Sequence, residues 1–151
     1  MAAAENLGKA DMAGKVHLYS PAVVALLHWK TSKFNDKNAN VMKGCFQGLA
    51  SLAAQSTKES AFDKSAAKFA LSFAADKMAD KKVAVAIKAM LSALAESISP
   101  AFVVKELTAG LSGVKAVGAH SEAVPWICDL VKDFGVTACG EKVFYRLHFG
   151  H

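Results

Sequence analysis

The chain has 151 residues, a length that accommodates one domain with one sizeable hydrophobic core. Hydrophobic residues make up 53% and charged residues 21% of it, which excludes global disorder, and the apolar run Pro21–Leu27 is far shorter than the ~20 residues of a membrane span. The net charge is +5, yet Arg146 is the single arginine among 18 basic residues. That imbalance argues against a sequence-specific nucleic-acid reader and favours an acidic protein partner. We therefore expect a soluble protein with no nucleic-acid and no membrane partner.

Little in the sequence points to enzymatic chemistry. Cys45 and Cys128 fall in helical patterns as small core residues, and the absence of C-x-x-C suits a reducing cytoplasmic compartment. There is no G-x-S-x-G, no phosphate loop and no H-E-x-x-H, and His148 and His151 lack a cysteine or acid that would complete a metal site. We expect no enzyme, no cofactor and no metal.

The first third of the chain contains two predicted helices. Residues 1–19 show no clear periodicity and are predicted to be a mobile N-terminal segment. Ser20 and Pro21 form a helix-start signal, with serine as N-cap and proline at the first helical position, before "PAVVALLHW". After the polar stretch "KTSKFNDKNAN", the second helix "NVMKGCFQGLASLAAQ" places Val41 and Leu49 on one apolar face. No segment alternates with period two, so no sheet is expected.

Four more helices are predicted in the rest of the chain. The third runs from about Asp63 to Met78 and the fourth from Val83 to Ile98. A second Ser-Pro pair starts the fifth, "PAFVVKELTAGL", and "SEAVPWICDLVKDFG" is the sixth, with Ser121 as N-cap. Trp126 is predicted to lie in the core. Residues 137–151 form a tail, for which a short capping helix built from the apolar residues of 143–149 is one interpretation.

The helices group into three pairs with a regular spacing. The second helices are aligned by Val41, Val83 and Val124, which lie 42 and 41 residues apart, within the ~40–47 residues of HEAT and armadillo repeats. We predict an all-α fold, an α-solenoid of about three HEAT-like antiparallel helix pairs over residues 20–136. The competing interpretation is a plain helical bundle with accidental spacing. The predicted buried residues are Leu49, Leu52, Ile87, Leu91, Leu94, Ile127 and Leu130.

Two stretches resemble a known family. "HWKTSKFNDKNANVMKG" and "SEAVPWICDLVKDFG" are similar to motifs of the TOG domain of the microtubule-polymerase family, most like a central, third TOG domain. The resemblance covers about residues 20–136. The matching residues are Trp29, Lys30, Ser32, Phe34, Val41, Met42, Ser121, Glu122, Trp126, Lys132, Asp133, Phe134 and Gly135.

The resemblance implies a tubulin-binding module of the cytoplasm and cytoskeleton that acts in microtubule assembly or organisation. TOG domains bind the tubulin heterodimer through their intra-repeat turns, which here are residues 29–40, 78–82 and 112–121. The first two regions carry a charge balance of +3 (28–43) and +2 (76–88), which suits the acidic surface of tubulin. Other cytoskeletal proteins are further expected partners. The implied contact residues are Trp29 for apolar anchoring and Lys30, Lys33, Lys81, Lys82 and Lys115 for charge complementarity.

Other interpretations stay open. The chain has room for three repeats where the family has six, and no equivalent of the family's first-repeat turn tryptophan precedes Ser20. A three-repeat array without caps is expected to expose a hydrophobic end. Trp29 packed between helices and a solvated Lys81–Lys82 pair are the competing interpretations of those residues. A HEAT-type scaffold for another protein partner without tubulin binding is the alternative function. A helical enzyme or nucleic-acid binder is disfavoured by the lone arginine and the absent motifs.

Overall fold

The computed structural model of the protein describes residues 14–29, 32–115 and 117–140. Within these ranges the fold is all-α, without strands, as predicted. The elements are α1 Val16–His28, a 3-10 helix Lys33–Asn35, α2 Ala39–Ala54, α3 Lys64–Lys77, α4 Lys81–Ser97, α5 Pro100–Ser112, α6 Val117–Phe134 and the one-turn α7 Val136–Cys139. None of the helices in the described ranges is long and apolar enough to span a bilayer.

The first layer of the fold contains α1, α3 and α5 side by side. Neighbours in this layer run in the same direction. Near the start of α1, His17 Nδ1 lies 2.8 Å from the hydroxyl of Ser60, which shortly precedes α3. At the end of α1, the ring of His28 packs edge-on against Phe69 of α3, with ring centroids 4.7 Å apart.

The second layer contains α2, α4 and α6, and the most extensive helix contact in the described chain joins α2 to α4. Lys88 of α4 pairs with Glu122 of α6 at 2.5 Å, and Ser92 accepts a hydrogen bond from the Trp126 indole N–H at 3.3 Å. Both contacts span 34 residues, so α4 and α6 run in the same direction. Trp126 is 9% exposed, which confirms its prediction as a core residue. Consecutive long helices therefore alternate between the layers in a solenoid-like arrangement, as predicted.

The first repeat spacing is confirmed by matching N-caps. Asn38 precedes α2 and Asp80 precedes α4, and each side-chain oxygen accepts a hydrogen bond of 2.9 Å from the N–H two residues further on. Val41 and Val83 are consequently the third residues of their helices. The two helices therefore begin with the same kind of N-cap, 42 residues apart, as the predicted spacing requires.

The predicted start of the sixth helix is wrong. α6 begins at Val117, and the Ser121 hydroxyl lies inside the helix, where it donates a hydrogen bond to the Val117 carbonyl at 3.2 Å. Val124 is therefore the eighth residue of α6 and is 44% exposed, so it does not start a helix as Val41 and Val83 do. The 41-residue alignment fails for this reason.

The predicted start of the first helix is also wrong. α1 begins at Val16, which makes Pro21 its sixth residue and places the predicted boundary between residues 19 and 20 inside a helix. Ser20 is completely buried, and its hydroxyl accepts a hydrogen bond of 2.9 Å from the N–H of Asp63 instead of capping α1. The second Ser-Pro signal is confirmed, because Ser99 is the N-cap of α5.

The core is built from both layers, with alanines prominent in α3. All seven residues predicted to be buried are 4% exposed or less: Leu49, Leu52, Ile87, Leu91, Leu94, Ile127 and Leu130. α3 faces the core mainly with alanines, which let neighbouring helices approach closely. A Cβ atom placed on Gly110 of α5 would lie only 2.8 Å from the Cβ of Ala75 in α3. Glycine is therefore required for this close helix contact.

The C-terminal part of the described chain turns back on the array. Gly135 adopts a φ of +87°, which favours glycine and lets α7 follow α6 at once. Cys139 in α7 is buried, and its thiol lies 3.8 Å from the Leu130 carbonyl of α6. Residues 1–13 and 141–151, including most of the predicted mobile segment, the predicted capping stretch 143–149, His148 and His151, lie outside the described residues.

Candidate protein-binding edge

Three helix connections lie along one edge of the fold, and their described residues, here called the turn edge, are 29, 32–38, 78–80 and 113–115. Because neighbours within each layer are parallel, the ends of α1, α3 and α5 meet the starts of α2, α4 and α6 at this edge. A Cβ on Gly118, at the start of α6, would lie 3.4 Å from the Cβ of Ala79 in the second turn. The third turn is shorter than the predicted residues 112–121, because α6 begins at residue 117.

The first turn is held in place by one buried aromatic ring. Phe34 is fully buried, stacks on Phe73 of α3 with centroids 5.4 Å apart, and lies 5.7 Å from the ring of Phe46 in α2. Asp36 accepts a hydrogen bond of 2.8 Å from the N–H of Asn38, which fixes the entry into α2. This anchoring role of Phe34 was not predicted from the sequence. The feature that could have indicated it is a single aromatic residue within the polar run "KTSKFNDKNAN".

Trp29 follows α1 directly and is 68% exposed. Its backbone N–H donates a hydrogen bond of 3.2 Å to the Leu26 carbonyl, while its side chain lies largely in solvent. The interpretation of Trp29 as packed between helices is therefore wrong. A tryptophan this exposed leaves a large apolar surface uncovered, and tryptophan is among the residues that contribute most to protein interfaces.

The predicted lysines that the structure describes lie on the same edge as Trp29. Lys33 is in the first turn, Lys81 and Lys82 are in the first turn of α4, and Lys115 is in the third turn; all are exposed. Lys30 lies outside the described residues. The structure thus brings one aromatic side chain and four described lysines of the predicted set to one edge.

Acidic residues at this edge are engaged in turn geometry or sit beside a lysine. Asp36 and Asp80 are partly buried and accept hydrogen bonds from backbone N–H groups at the starts of α2 and α4. Asp76 is 63% exposed, but the ammonium of Lys77 lies 3.6 Å from its carboxylate. The exposed charge of the edge is consequently dominated by lysine.

The cysteines give no sign of nucleophilic chemistry. Burial, with the nearby charge of Asp36 as a smaller cause, raises the pKa of Cys45 to about 11. Burial also raises the pKa of the Cys139 thiol. Both thiols are therefore protonated at neutral pH and poor nucleophiles. Cys128 is only partly buried on α6, which corrects its prediction as a core residue. No cluster of three potential metal ligands occurs in the described part of the chain.

A second surface feature is a groove between two helices of the first layer. An open groove of about 330 Å³ runs between α1 and α3. Its lining includes Pro21, Val24, Ala25, His28, Asp63 and Phe69. The groove is large enough to receive one or two apolar side chains of a partner, and it was not predicted from the sequence because it depends on how α1 packs against α3.

A scan against protein-family models, a search of curated proteins and a search of solved structures found no match to this chain. The geometry is that of an all-α, solenoid-like protein with a basic edge that carries an exposed tryptophan.

Proposed function

We propose that this chain is a TOG-like module that binds the tubulin heterodimer and acts in microtubule assembly or organisation in the cytoplasm, with the turn edge as its contact surface. The observation that supports the proposal most is the presence of Trp29 and exposed lysines from three separate turns on one edge. The motif resemblance supplies the identity of the partner.

Trp29 supplies the apolar part of the contact. Burying an aromatic side chain removes about 150–250 Å² from water, so a residue that is 68% exposed has much area left to contribute. On one side of Trp29 lies the end of α1, and further along the chain Phe34 is buried in the core.

The positions of Lys81 and Lys82 are unfavourable for α4 itself. They occupy the first turn, where the positive end of the helix dipole meets positive side chains at a cost of about 0.3–1 kcal/mol each. A helix optimised for stability alone would have acids there. An acidic partner such as the tubulin surface would offset this cost, and charge complementarity would steer it to the edge.

The proposal is tested by co-elution with tubulin heterodimer in size-exclusion chromatography and by titration at several salt concentrations. The parent is expected to bind at low salt and to weaken as salt rises, because exposed charges are screened over ~8 Å at physiological ionic strength. Trp29→Ala should weaken binding through lost apolar contact. The double variant Lys81→Glu, Lys82→Glu should weaken binding and flatten its salt dependence.

The matched control changes the same charges at the opposite edge. Lys58 and Lys64 are exposed near the connection between α2 and α3, where the hydroxyls of Ser56 and Ser97 lie 2.6 Å apart. The double variant Lys58→Glu, Lys64→Glu has the same net charge as the turn-edge variant, since each takes +5 to +1 by two Lys→Glu changes. It should keep most of the parent's tubulin binding.

The outcomes separate the mechanism from general electrostatics. Equal losses in both double variants would mean that net charge, not the turn edge, governs binding. Unchanged binding in Trp29→Ala and in the turn-edge double variant would exclude the edge as the contact surface. Circular dichroism melting curves that match the parent ensure that a lost signal reflects binding rather than unfolding.

The groove between α1 and α3 supports a second candidate function, a HEAT-type scaffold for another protein partner. Its apolar lining includes Pro21, Ala25 and Phe69, which are not among the predicted tubulin-contact residues. A parent protein without tubulin binding at low salt would favour this scaffold function over the TOG-like one.

A further inference from the structure

The described turn edge is smaller than a complete protein interface. Each partner of a standard-size interface contributes roughly 20–30 residues and buries about 800 Å². The turn edge has fewer described residues than that, and among them Trp29 is the large apolar side chain that is exposed. A partner that binds here with an interface of ordinary size would therefore also contact a neighbouring surface, on either the first or the second layer of helices.

The second layer places α2 and α4 side by side next to the turn edge, and their register is fixed at both ends. At the turn edge their N-caps, Asn38 and Asp80, lie 42 residues apart in the sequence. At the opposite edge the hydroxyls of Ser56 and Ser97, 41 residues apart, lie 2.6 Å from each other. The two helices therefore run in parallel, and residues that are 42 apart in the sequence lie at about the same height.

Lys43 of α2 and Val85 of α4 are such a pair of residues, and both are exposed. Val85 is 75% exposed. Lys82 is exposed three residues before Val85 and therefore lies on the same side of α4. These three residues, Lys43, Lys82 and Val85, are here called the second-layer patch. A single exposed valine is ordinary, but this one has a lysine on its own helix and another at the same height on the neighbouring helix.

The charges of α2 and α4 are segregated along the two helices. α2 contains no Asp or Glu, and the single acid of α4 is Glu96, in the last turn at the opposite edge. The lysines of both helices lie in the half nearer the turn edge. Of these, Lys88 is paired with Glu122, whereas Lys43 and Lys82 form no ion pair among the residues that the structure describes. The second-layer patch thus presents uncompensated positive charge beside an apolar side chain.

The first layer is close to neutral where it meets the same edge. α1 contains no Asp, Glu, Lys or Arg, and the half of α5 nearer the edge is also uncharged. α3 ends there with Asp76, whose charge is balanced by the Lys77 ammonium 3.6 Å away. An acidic partner therefore gains more charge complementarity on the second layer than on the first.

We infer that the partner's contact continues from the turn edge onto the second-layer patch, where Lys43 and Lys82 meet carboxylates and Val85 packs against an apolar side chain of the partner. This inference rests on the proposed function and describes the tubulin surface that the chain recognises, an acidic surface with an apolar side chain among its carboxylates. Lys43 and Val85 are not among the contact residues predicted from the sequence. The contact then has two apolar side chains, Trp29 and Val85, each with lysines nearby.

The first test is titration of tubulin heterodimer with the variants Val85→Ser and Lys43→Gln at a low and a high salt concentration. Each variant should raise the Kd at low salt by about threefold or more. The factor for Val85→Ser should be the same at both salt concentrations, because it removes an apolar contact. The factor for Lys43→Gln should shrink at high salt, because salt screens the charge contact that it removes.

The matched controls change the same residue types elsewhere. Val124→Ser alters a valine that is 44% exposed on the side of α6 away from α4, and Lys105→Gln alters an exposed lysine of α5 in the first layer. Both control variants should bind tubulin like the parent. Thermal melting curves that match the parent establish that all four variants are folded.

The second test uses the parent chain and detects the contact without a substitution. Lysines are acetylated with and without excess tubulin heterodimer at low salt, and mass spectrometry measures the extent of acetylation at each lysine of this chain. Lys43 should be acetylated several times more slowly in the complex, and the acetylation of Lys105 should be unchanged.

The outcomes distinguish this inference from the proposed function. If the parent binds and Trp29→Ala weakens binding, but Val85→Ser and Lys43→Gln bind like the parent, the inference is wrong and the turn edge remains the contact surface. Undiminished acetylation of Lys43 in the complex would lead to the same conclusion, as would losses in the control variants equal to those in the patch variants. A parent that binds no tubulin at low salt would overturn both the inference and the proposed function.

Discussion

Replacing Leu94 with alanine should destabilise the protein more than almost any other single truncation. Leu94 is fully buried in α4, and α4 is the middle helix of its layer, with α2 on one side and α6 on the other. Neither neighbour can move inwards to fill the space without losing contacts of its own. The substitution therefore leaves a cavity rather than a collapsed site.

The magnitude follows from two contributions. Removing the buried carbons beyond Cβ costs roughly 2 kcal/mol in lost transfer free energy, at ~0.8 kcal/mol for each methylene-sized group. The cavity adds to this cost, and buried Leu→Ala changes span about 2–5 kcal/mol in all. Because both flanks of Leu94 are occupied by packed helices, we expect a loss of about 4 kcal/mol in the free energy of unfolding.

The assay is urea unfolding followed by far-ultraviolet circular dichroism. With a urea slope of about 1–3 kcal/mol per molar, the unfolding midpoint of Leu94→Ala should fall by more than about 1 M. Val85→Ala is the control in the same helix; at 75% exposure it should change stability by less than about 0.5 kcal/mol. A Leu94→Ala midpoint equal to that of the parent would show that the face of α4 is misassigned.

Two further predictions concern helix contacts. Gly110→Ala should destabilise the protein by about 1–3 kcal/mol in the same urea assay, because the new Cβ would lie 2.8 Å from the Cβ of Ala75. The control is Gly113→Ala, which should be near neutral because no neighbour of its new Cβ lies closer than 3.8 Å. Hydrogen bonding to Lys88, and then its charge, lower the pKa of Glu122 in the folded state below its ordinary 4.5. The carboxylate therefore contributes stability that is present above pH 4.5 and lost as pH falls through the folded-state pKa, so Glu122→Gln should be less stable than the parent at pH 7 and equal to it at the acid end of a pH series.

The two Ser-Pro pairs show what local sequence can and cannot predict. Ser99 caps α5 as its local signal indicates, with its hydroxyl accepting a hydrogen bond of 3.1 Å from the Phe102 N–H. Ser20 carries the same signal, but its hydroxyl accepts from the N–H of Asp63, 43 residues away. The two sites differ only in tertiary contacts, which no local pattern records.

The repeat pattern was predictable where caps and apolar faces agree. α2 and α4 have an Asn or Asp cap followed by a helix with one apolar face, and both were placed correctly to within two residues. α6 was placed too late, because its first turn carries no signal in the sequence apart from small residues. Gly118 lies beside Ala79 of the second turn, a contact that only the packing reveals.

The candidate edge was predictable in part. The sequence indicated which residues belong to turns, and the solenoid-like order of helices placed those turns on one edge. Sequence left the exposure of Trp29 undecided, since an aromatic residue after a helix is compatible with burial or with binding. In the structure, Phe34 is the aromatic residue of this turn that is buried in the core, and Trp29 is exposed.

The central claim, that the turn edge binds tubulin, is tested most directly by hydrogen–deuterium exchange of the chain with and without excess tubulin heterodimer at low salt. Binding at the edge predicts slower exchange in peptides covering residues 29–38, 78–82 and 113–115, and unchanged exchange in residues 55–63 at the opposite edge. Protection confined to residues 55–63 would contradict the account. So would the absence of any protection, provided that the same tubulin preparation binds a known partner under the same conditions.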